Sequence, residues 1–208
     1  MTALFFSSFA IAFSGAVMPG PLLSFTVTES TRKGFIAGPL VILGHALLEI
    51  GLIAALLLGL APLFVDDLFF SLISCFGGGI LIWIGYRMIR SIPGLTVEWN
   101  KSEGKASRTV LQGIFMSLAN PYWIVWWATI GLGLILQSRV FGMTGVAVFF
   151  IGHILADLIW YSLVSGAIAK GRKLFTDSVY RWLVGICSVI MLGFAGYFIF
   201  RGITAFPS

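Results

Sequence analysis

Six apolar segments, each long enough to cross a lipid bilayer as a helix, occupy most of this chain. They cover residues 3–28, 35–60, 69–90, 109–136, 140–169 and 179–203. A helix needs about 20 apolar residues to span the hydrocarbon core. Of the 208 residues, 59% are hydrophobic and 10% are charged, whereas a soluble domain of this size needs a polar exterior. The sequence therefore predicts an all-α membrane protein with six transmembrane helices.

The distribution of cationic side chains predicts how these helices cross the membrane. Most Lys and Arg residues fall beside the odd-numbered loops: Arg32, Lys33, Arg87, Arg90, Lys101, Lys105, Arg108, Lys170, Arg172, Lys173 and Arg181. Arg139 and Arg201 fall on the other side. Because cytoplasmic loops carry an excess of Lys and Arg, we expect the odd loops in the cytoplasm and both termini outside. This asymmetry accounts for the net charge of +5 without a nucleic-acid partner.

Three landmarks in the first half of the chain recur in the second half in the same order. Met18-Pro19-Gly20-Pro21 matches Ala119-Asn120-Pro121-Tyr122, Gly44-His45-x-x-x-Glu49 matches Gly152-His153-x-x-x-Asp157, and Gly85-Tyr86-x-x-x-Arg90 matches Gly196-Tyr197-x-x-x-Arg201. Because each unit holds three helices, the second copy enters the membrane from the opposite face. We therefore expect two inverted-topology repeats, residues 1–95 and 109–208, joined by a cytoplasmic linker, 96–108. Such repeats are common in secondary transporters.

Prolines lie inside the first and fourth predicted helices, at Pro19, Pro21 and Pro121. An interior proline removes a backbone donor and clashes with the preceding turn, so it kinks or breaks a helix. We expect both helices to be broken there. One interpretation is a packing kink without a function. The other is a discontinuous helix whose free backbone groups face a cavity, where the Asn120 side chain can both donate and accept hydrogen bonds.

Two pairs of polar side chains lie deep inside predicted helices, His45 with Glu49 and His153 with Asp157. A spacing of four residues places each pair on one face of its helix. A carboxylate within the membrane is costly and normally faces a cavity or a partner. The pairs are therefore either structural hydrogen bonds that lock helices together or groups that change protonation during transport.

Aromatic residues follow the second proline break at Trp123, Trp126 and Trp127. They lie deeper than the headgroup region where tryptophan is usually enriched, so they either fill space or form a wall of a substrate pocket. Glu29, by contrast, lies near Arg32 at the end of the first predicted helix. We expect Glu29 to belong to a solvated charge cluster at the cytoplasmic interface.

The motifs around these positions resemble the LysE/RhtB (lysine exporter/threonine efflux) family over essentially the whole chain. The matching stretches are Gly15-Ala16-Val17-Met18-Pro19-Gly20-Pro21, Arg32-Lys33-Gly34-Phe35-x-x-Gly38, Gly44-His45 and Asn120-Pro121. The resemblance implies a prokaryotic inner-membrane exporter of amino acids and related solutes, driven by the proton gradient. It marks Pro19, Gly20, Pro21, Glu49, Asn120, Pro121 and Asp157 as functional candidates. Glu49 and Tyr122 depart from the family pattern, in which many members carry Asp and a basic residue.

We therefore expect a proton-coupled exporter of a small amino acid that works by alternating access. The substrate-binding candidates are Pro19, Gly20, Pro21, Glu49, Asn120, Pro121, Trp123, Trp127 and Asp157, and the proton-coupling candidates are His45, Glu49, His153 and Asp157. We expect no catalytic residue, cofactor or resident metal, and the expected partners are substrate, protons and lipid. Whether the protein forms a homo-oligomer is left open.

Three other functions are weighed against this one. A divalent-metal exporter of the same superfamily is an alternative, since two imidazoles and two carboxylates could converge on one ion. An intramembrane enzyme is a distant alternative, because the chain has neither a nucleophile elbow nor an HExxH motif. A non-transporting assembly subunit would form a sealed bundle without a cavity.

Overall fold

Every element described by the computed structural model is helical. The description covers residues 1–60, 66–97, 99, 104–171 and 173–206, without the side chains of Pro121 and Thr129. Its α-helices are α1 (Thr2–Ala16), α2 (Pro21–Lys33), α3 (Ala37–Ala55), α4 (Asp67–Ser91), α5 (Ala106–Leu118), α6 (Pro121–Trp126), α7 (Leu132–Arg139), α8 (Gly142–Lys170) and α9 (Asp177–Thr204). Lys101 and Arg172, which contribute to the predicted charge asymmetry, lie outside the described residues.

Four helical stretches are long and apolar enough to cross a membrane: Pro21–Leu60, Asp67–Gly94, Gly142–Lys170 and Asp177–Thr204. The prediction of an all-α membrane protein is confirmed. The predicted segments 3–28 and 109–136 are each divided into shorter helices, so neither forms one continuous span. The count of six crossings stays a prediction.

Both predicted helix interruptions are present, and both helices restart on a proline. α1 ends at Ala16, and α2 begins at Pro21 after Gly20, whose backbone is extended. α5 ends at Leu118, and α6 begins at Pro121 after Asn120. Proline is tolerated in the first turn of a helix, because the amide it lacks would have no partner inside the helix. The structural match between the two breaks therefore pairs Pro21 with Pro121.

The long stretch Pro21–Leu60 consists of two helices that meet at Gly34. The φ of Gly34 is 67° and its ψ is −146°, a conformation that a side chain would disfavour. A short 3₁₀ turn, Gly34–Ile36, leads from there into α3, and α2 and α3 pack against each other. The chain thus changes direction at this glycine.

The helices pack in a pattern that brings α3 to the centre. α1 packs along α8, α5 packs along α3, α3 contacts α8, and α4 packs along α9. The approach of α3 to α5 is close, since a methyl group on Gly44 would collide with the Val110 carbonyl, and one on Gly113 would collide with the Val41 carbonyl. Small residues permit such contacts between membrane helices. The glycines thereby bring the middle of α3 against α5.

Candidate functional site

The two predicted polar pairs form a single buried cluster between α3 and α8. His45 and Glu49 lie on α3, and His153 and Asp157 lie on α8, which packs against it. Each of the four residues is at most 6% exposed. The four-residue spacing gives each helix one polar face, and the packing brings the two faces together. We call this group the His/carboxylate cluster.

Each imidazole in the cluster reaches carboxylates on both helices. Nε2 of His45 lies 3.0 Å from Oε1 of Glu49 and 3.9 Å from Oδ2 of Asp157. Nε2 of His153 lies 3.1 Å from Oε2 of Glu49 and 3.5 Å from Oδ2 of Asp157. Buried charges are costly unless they are paired and hydrogen-bonded. The histidines therefore connect the two carboxylates.

Glu49 also accepts hydrogen bonds from two tryptophans that follow the second helix break. Nε1 of Trp123 donates to Oε1 of Glu49 over 3.1 Å, and Nε1 of Trp127 donates to the same oxygen over 2.9 Å. An indole is a donor only, and a hydrogen bond to a charged group contributes about 1.5–3 kcal/mol. Glu49 is therefore held as an acceptor by α6 and by the turn after it.

Ser117 of α5 determines how the His45 ring is oriented. Nδ1 of His45 lies 2.8 Å from Oγ of Ser117, and that hydroxyl donates to the Gly113 carbonyl over 2.8 Å. A hydroxyl has only one proton to donate, so Nδ1 of His45 is the donor to Ser117. Nε2 of His45 is then the nitrogen that faces the carboxylates.

Asp157 is held less tightly than Glu49. Among the described residues, Oδ2 of Asp157 has no hydrogen-bond partner although it is buried, and the same holds for Oε2 of Glu49 and Nδ1 of His153. A buried acceptor without a donor costs free energy. Oδ2 of Asp157 and Oε2 of Glu49 are therefore the oxygens in the cluster that a ligand with N–H groups, a proton or a cation would satisfy.

The four side chains of the cluster could also hold a metal ion. Each offers one ligand atom, and these atoms lie within 4.8 Å of one another. Two imidazole nitrogens and two carboxylate oxygens suit a divalent transition metal.

A cavity of about 60 Å³ opens beside the cluster. It is lined by all four cluster residues and by groups from the helix breaks, including Gly20 and Asn120. A water molecule needs about 10–15 Å³ of such volume, so the cavity has room for roughly four to six waters. A small polar solute fits this space.

The two helix interruptions face each other at this cavity. A methyl group on Gly20 would lie 3.6 Å from Nδ2 of Asn120. Oδ1 of Asn120 caps its own helix by accepting from the Tyr122 amide over 3.2 Å, whereas no described side chain caps the start of α2. The first amides of a helix without a cap form a binding site for an anion.

The structure brings most of the predicted site residues together. Seven of them line the cavity: Gly20, His45, Glu49, Asn120, Trp123, His153 and Asp157. Pro19 and Pro21 line a smaller adjacent cavity with Gly20. Trp127 is fully buried and contacts Glu49 instead of lining the cavity. The side chain of Pro121 lies outside the described part of the chain.

Several residues at the site were not singled out as candidates from the sequence, and three of them matter most for its geometry. Ser117 binds His45, and both Gly15 and Tyr161 line the cavity. Ser117 comes about one turn before the Asn120-Pro121 break, and Tyr161 comes one turn after Asp157 on the same face of α8. Helical spacing from the recognised motifs was therefore the available signal for Ser117 and Tyr161, whereas Gly15 lies within a stretch that carries the family resemblance.

The prediction that Glu29 is solvated is wrong. Glu29 is 7% exposed, and its Oε2 lies 3.3 Å from Nζ of Lys33. Oγ1 of Thr109 donates to the same oxygen over 3.0 Å and accepts from Lys33. α5 packs against α2 at this point and excludes the water that an isolated helix end would have. We call Glu29, Lys33 and Thr109 the α2–α5 ion-pair cluster.

An all-helical fold with apolar spans, two interrupted helices and a cavity lined by buried charged groups defines the class of multi-pass membrane proteins. The model of the LysE type translocator family matches residues 13–202, and the chain belongs to this family. The predicted family is thereby confirmed, and the chain is a multi-pass inner-membrane protein.

Proteins from several bacteria are similar to this chain over nearly their whole length. The threonine efflux protein of Escherichia coli K12 is 27% identical over 208 residues, covering 93% of this chain and 96% of the relative. The threonine efflux protein of Salmonella typhi is 25% identical over 204 residues, with 93% and 96% covered. The chemotactic transduction protein ChpE of Pseudomonas aeruginosa is 28% identical over 201 residues, with 94% and 97% covered. No solved structure is significantly similar.

Proposed function

We propose that the protein exports a small amino acid or a close derivative across the prokaryotic inner membrane by proton antiport with alternating access. The observation that carries this proposal is the cavity, which places carboxylates, imidazoles and a helix start without a cap around one small volume. An α-amino acid carries an ammonium and a carboxylate on one carbon, so it needs both kinds of partner. Relatives named for threonine efflux favour the same substrate class.

The substrate ammonium pairs with the carboxylates of the His/carboxylate cluster. Oδ2 of Asp157 has no hydrogen-bond partner among the described residues, and an ammonium has three donors. Glu49 lies across the cluster, joined to Asp157 through both imidazoles. Asp157 is thus the primary partner of the ammonium, because Glu49 already accepts from two indoles. Oε2 of Glu49, which also has no hydrogen-bond partner among the described residues, adds a second negative charge.

The substrate carboxylate binds at the two helix breaks. The first amides of α2 have no side-chain cap, and the positive end of the helix dipole favours an anion there. Nδ2 of Asn120 lies beside Gly20 and adds a donor, because its Oδ1 is already occupied by the Tyr122 amide. This arrangement is similar to that of transporters whose half-helix starts face an anionic substrate group.

Proton coupling arises because the substrate and the proton compete for the same carboxylates. A proton that arrives from outside protonates the cluster and weakens its hold on the ammonium. His45 and His153 connect Glu49 to Asp157 through short contacts of their Nε2 atoms, which supplies a relay of the kind found in membrane pumps. Loss of the substrate and gain of a proton are thereby linked.

Helix packing supports the proposed inverted repeats, residues 1–95 and 109–208. In these repeats α1 is equivalent to α5, α3 to α8 and α4 to α9. The contact of α1 with α8 is therefore equivalent to the contact of α5 with α3, and the α3–α8 and α4–α9 contacts each join two equivalent helices. Such a pair of related units can rock about a site between them. Residues 98 and 100–103 of the proposed cytoplasmic linker lie outside the described residues.

The α2–α5 ion-pair cluster supports a closed cytoplasmic gate in this conformation. Glu29, Lys33 and Thr109 join α2 to α5, at the end of α2 that the charge asymmetry predicts to be cytoplasmic. Opening on that side requires α2 and α5 to separate. The charged groups would then regain water, so the cluster can open without leaving a buried charge unpaired.

The proposal is tested by counterflow in proteoliposomes loaded with unlabelled amino acids, with labelled glycine or threonine outside. We expect the wild type to accumulate label, and we expect Glu49→Gln and Asp157→Asn to lose at least about tenfold in rate, the effect of roughly 1.4 kcal/mol. Asp67→Asn, an exposed carboxylate at the start of α4, is the matched control. Wild-type rates in both cluster variants would refute the mechanism.

A second candidate function is export of a divalent metal ion. The geometry favouring it is the imidazole–carboxylate spacing of 3.0 to 3.9 Å, since ligands bonded at about 2.0–2.1 Å around a tetrahedral ion are about 3.3 Å apart. Thermal stabilisation of the purified protein by Zn²⁺ or Mn²⁺, without stabilisation by any amino acid, would favour this function. Stabilisation by amino acids alone would exclude it.

A further inference from the structure

One wall of the cavity is formed by small residues of α1. Ala12, Gly15 and Ala16 line it from this helix. Across from Gly15 lie Trp126 and Tyr122, and a methyl group on Gly15 would lie 3.4 Å from Nε1 of Trp126 and 3.7 Å from the Tyr122 hydroxyl. These are ordinary contact distances, so the space between Gly15 and α6 is about one methyl group wide.

The cavity lining contains partners for the charged groups of an amino acid and a wall of small residues. Gly20 and Asn120 come from the two helix breaks, Asp157 from the His/carboxylate cluster, and Gly15 from α1. If the substrate carboxylate and ammonium bind as in the proposed function, we expect the side chain to lie toward Gly15 and α6. Four to six waters displace about 120–180 Å³ of liquid, which is enough for an amino acid with a short side chain.

We propose that Gly15 determines the largest side chain the transporter accepts, with Trp126 as the opposite wall. The substrate class is then the amino acids from glycine to threonine, because the gap between Gly15 and α6 is narrow and each added methylene in a confined pocket changes discrimination. Leucine, whose side chain is longer than that of threonine, falls outside this class. This inference rests on the proposed function, because the position of the substrate side chain follows from where the ammonium and the carboxylate are proposed to bind.

The test is counterflow with glycine, threonine and leucine in proteoliposomes of the wild type, Gly15→Ala and Gly193→Ala. Gly193 lies in α9 with no atom near the position of an added methyl group, so it is a matched glycine substitution. A single methylene in a pocket changes discrimination by about 10–200-fold. In Gly15→Ala we expect the threonine-to-glycine rate ratio to fall at least about tenfold, whereas Gly193→Ala keeps the wild-type ratio.

A reciprocal variant tests the opposite wall. Trp126→Phe removes one ring of the indole from the same side of the cavity and leaves an aromatic side chain in place. We expect leucine counterflow to rise relative to glycine in this variant. An increase in leucine counterflow cannot result from a general loss of folding. Trp126→Phe therefore tests the proposed size limit even if Gly15→Ala transports nothing.

The outcomes separate this inference from the function on which it rests. If the wild type exchanges glycine and threonine, and neither Gly15→Ala nor Trp126→Phe changes any substrate ratio by more than about twofold, well below the methylene effect, the role of Gly15 is refuted and the proposed function stands. If the folded wild type exchanges no amino acid, the proposed function fails and this inference fails with it.

Discussion

Nε2 of His153 on α8 lies 3.1 Å from Oε2 of Glu49 on α3, so the histidine of one half of the chain contacts the carboxylate of the other. Within α8, the distance from the same nitrogen to Oδ2 of Asp157 is 3.5 Å. The closest contact of His153 with a carboxylate is thus made between the halves. Any motion of α3 relative to α8 must change it, and the cluster therefore joins the two helices.

Glu49→Gln should lower the thermal stability of the protein as well as its transport. Glu49 is 1% exposed and accepts from two indoles at 3.1 and 2.9 Å. Removing one partner from a buried ion pair costs about 3–5 kcal/mol, because the remaining charges lose their compensation. The melting temperature in detergent measures this, and Asp67→Asn serves as the exposed control. An unchanged melting temperature would show that the cluster is not charged in the folded state.

Trp127→Phe should weaken the site by removing a single hydrogen bond. Phenylalanine keeps the aromatic packing of this fully buried residue but cannot donate to Glu49 over 2.9 Å. Loss of a hydrogen bond to a charged group costs about 1.5–3 kcal/mol. Trp182→Phe, at a residue that is 72% exposed, is the matched control. Equal melting temperatures in the two variants would contradict the assigned contact.

Ser117→Ala should release the ring of His45. The Nδ1 donor of His45 would lose its acceptor at 2.8 Å, and an unsatisfied buried donor costs about 1–3 kcal/mol. Ser188→Ala is a close control, since Ser188 is also buried and its hydroxyl donates to the Val184 carbonyl in its own helix. ¹⁵N NMR of labelled histidine should show an altered His45 signal in Ser117→Ala, and a wild-type spectrum there would argue against the assigned role.

Glu29 and Lys33 should behave as an energetically coupled pair. Glu29→Gln and Lys33→Met each leave one charge without its partner in the α2–α5 ion-pair cluster, so each should lower the melting temperature more than the double variant does. The larger loss of melting temperature is expected for Lys33→Met, because this substitution leaves the buried carboxylate of Glu29 without its cation.

Arg32→Met is the control for that cycle, because Arg32 lies in the same turn of α2 but is exposed. We expect it to leave the melting temperature unchanged. Additive effects of the two cluster substitutions, measured by the same thermal assay, would mean that the ion pair contributes nothing to joining α2 and α5.

Gly44→Ala and Gly51→Ala should have opposite effects, although both lie in α3. A methyl group on Gly44 collides with the Val110 carbonyl of α5, whereas one on Gly51 meets no atom within 4 Å. Alanine favours the helix over glycine by about 1 kcal/mol, so Gly51→Ala should preserve or raise the melting temperature. Gly44→Ala should lower it by separating α3 from α5. Similar melting temperatures would contradict the close approach of these helices.

Several features of this protein follow from local properties of the sequence. Long apolar runs require lipid around them, whatever the tertiary arrangement. Proline ends a helix because it lacks an amide hydrogen, so both interruptions were predictable from Pro21 and Pro121 alone. A spacing of four residues likewise places His45 and Glu49 on one face of any helix.

Tertiary structure decided which groups actually meet. Glu49 contacts His153, 104 positions away along the chain, and Trp127, 78 positions away. Helical periodicity carries no information about such contacts. The burial of Glu29 and the orientation of His45 by Ser117 were missed for the same reason. Each depends on how closely a second helix approaches. The chain therefore specifies locally where its polar groups lie along each helix, and only the packing of the helices against one another determines their partners.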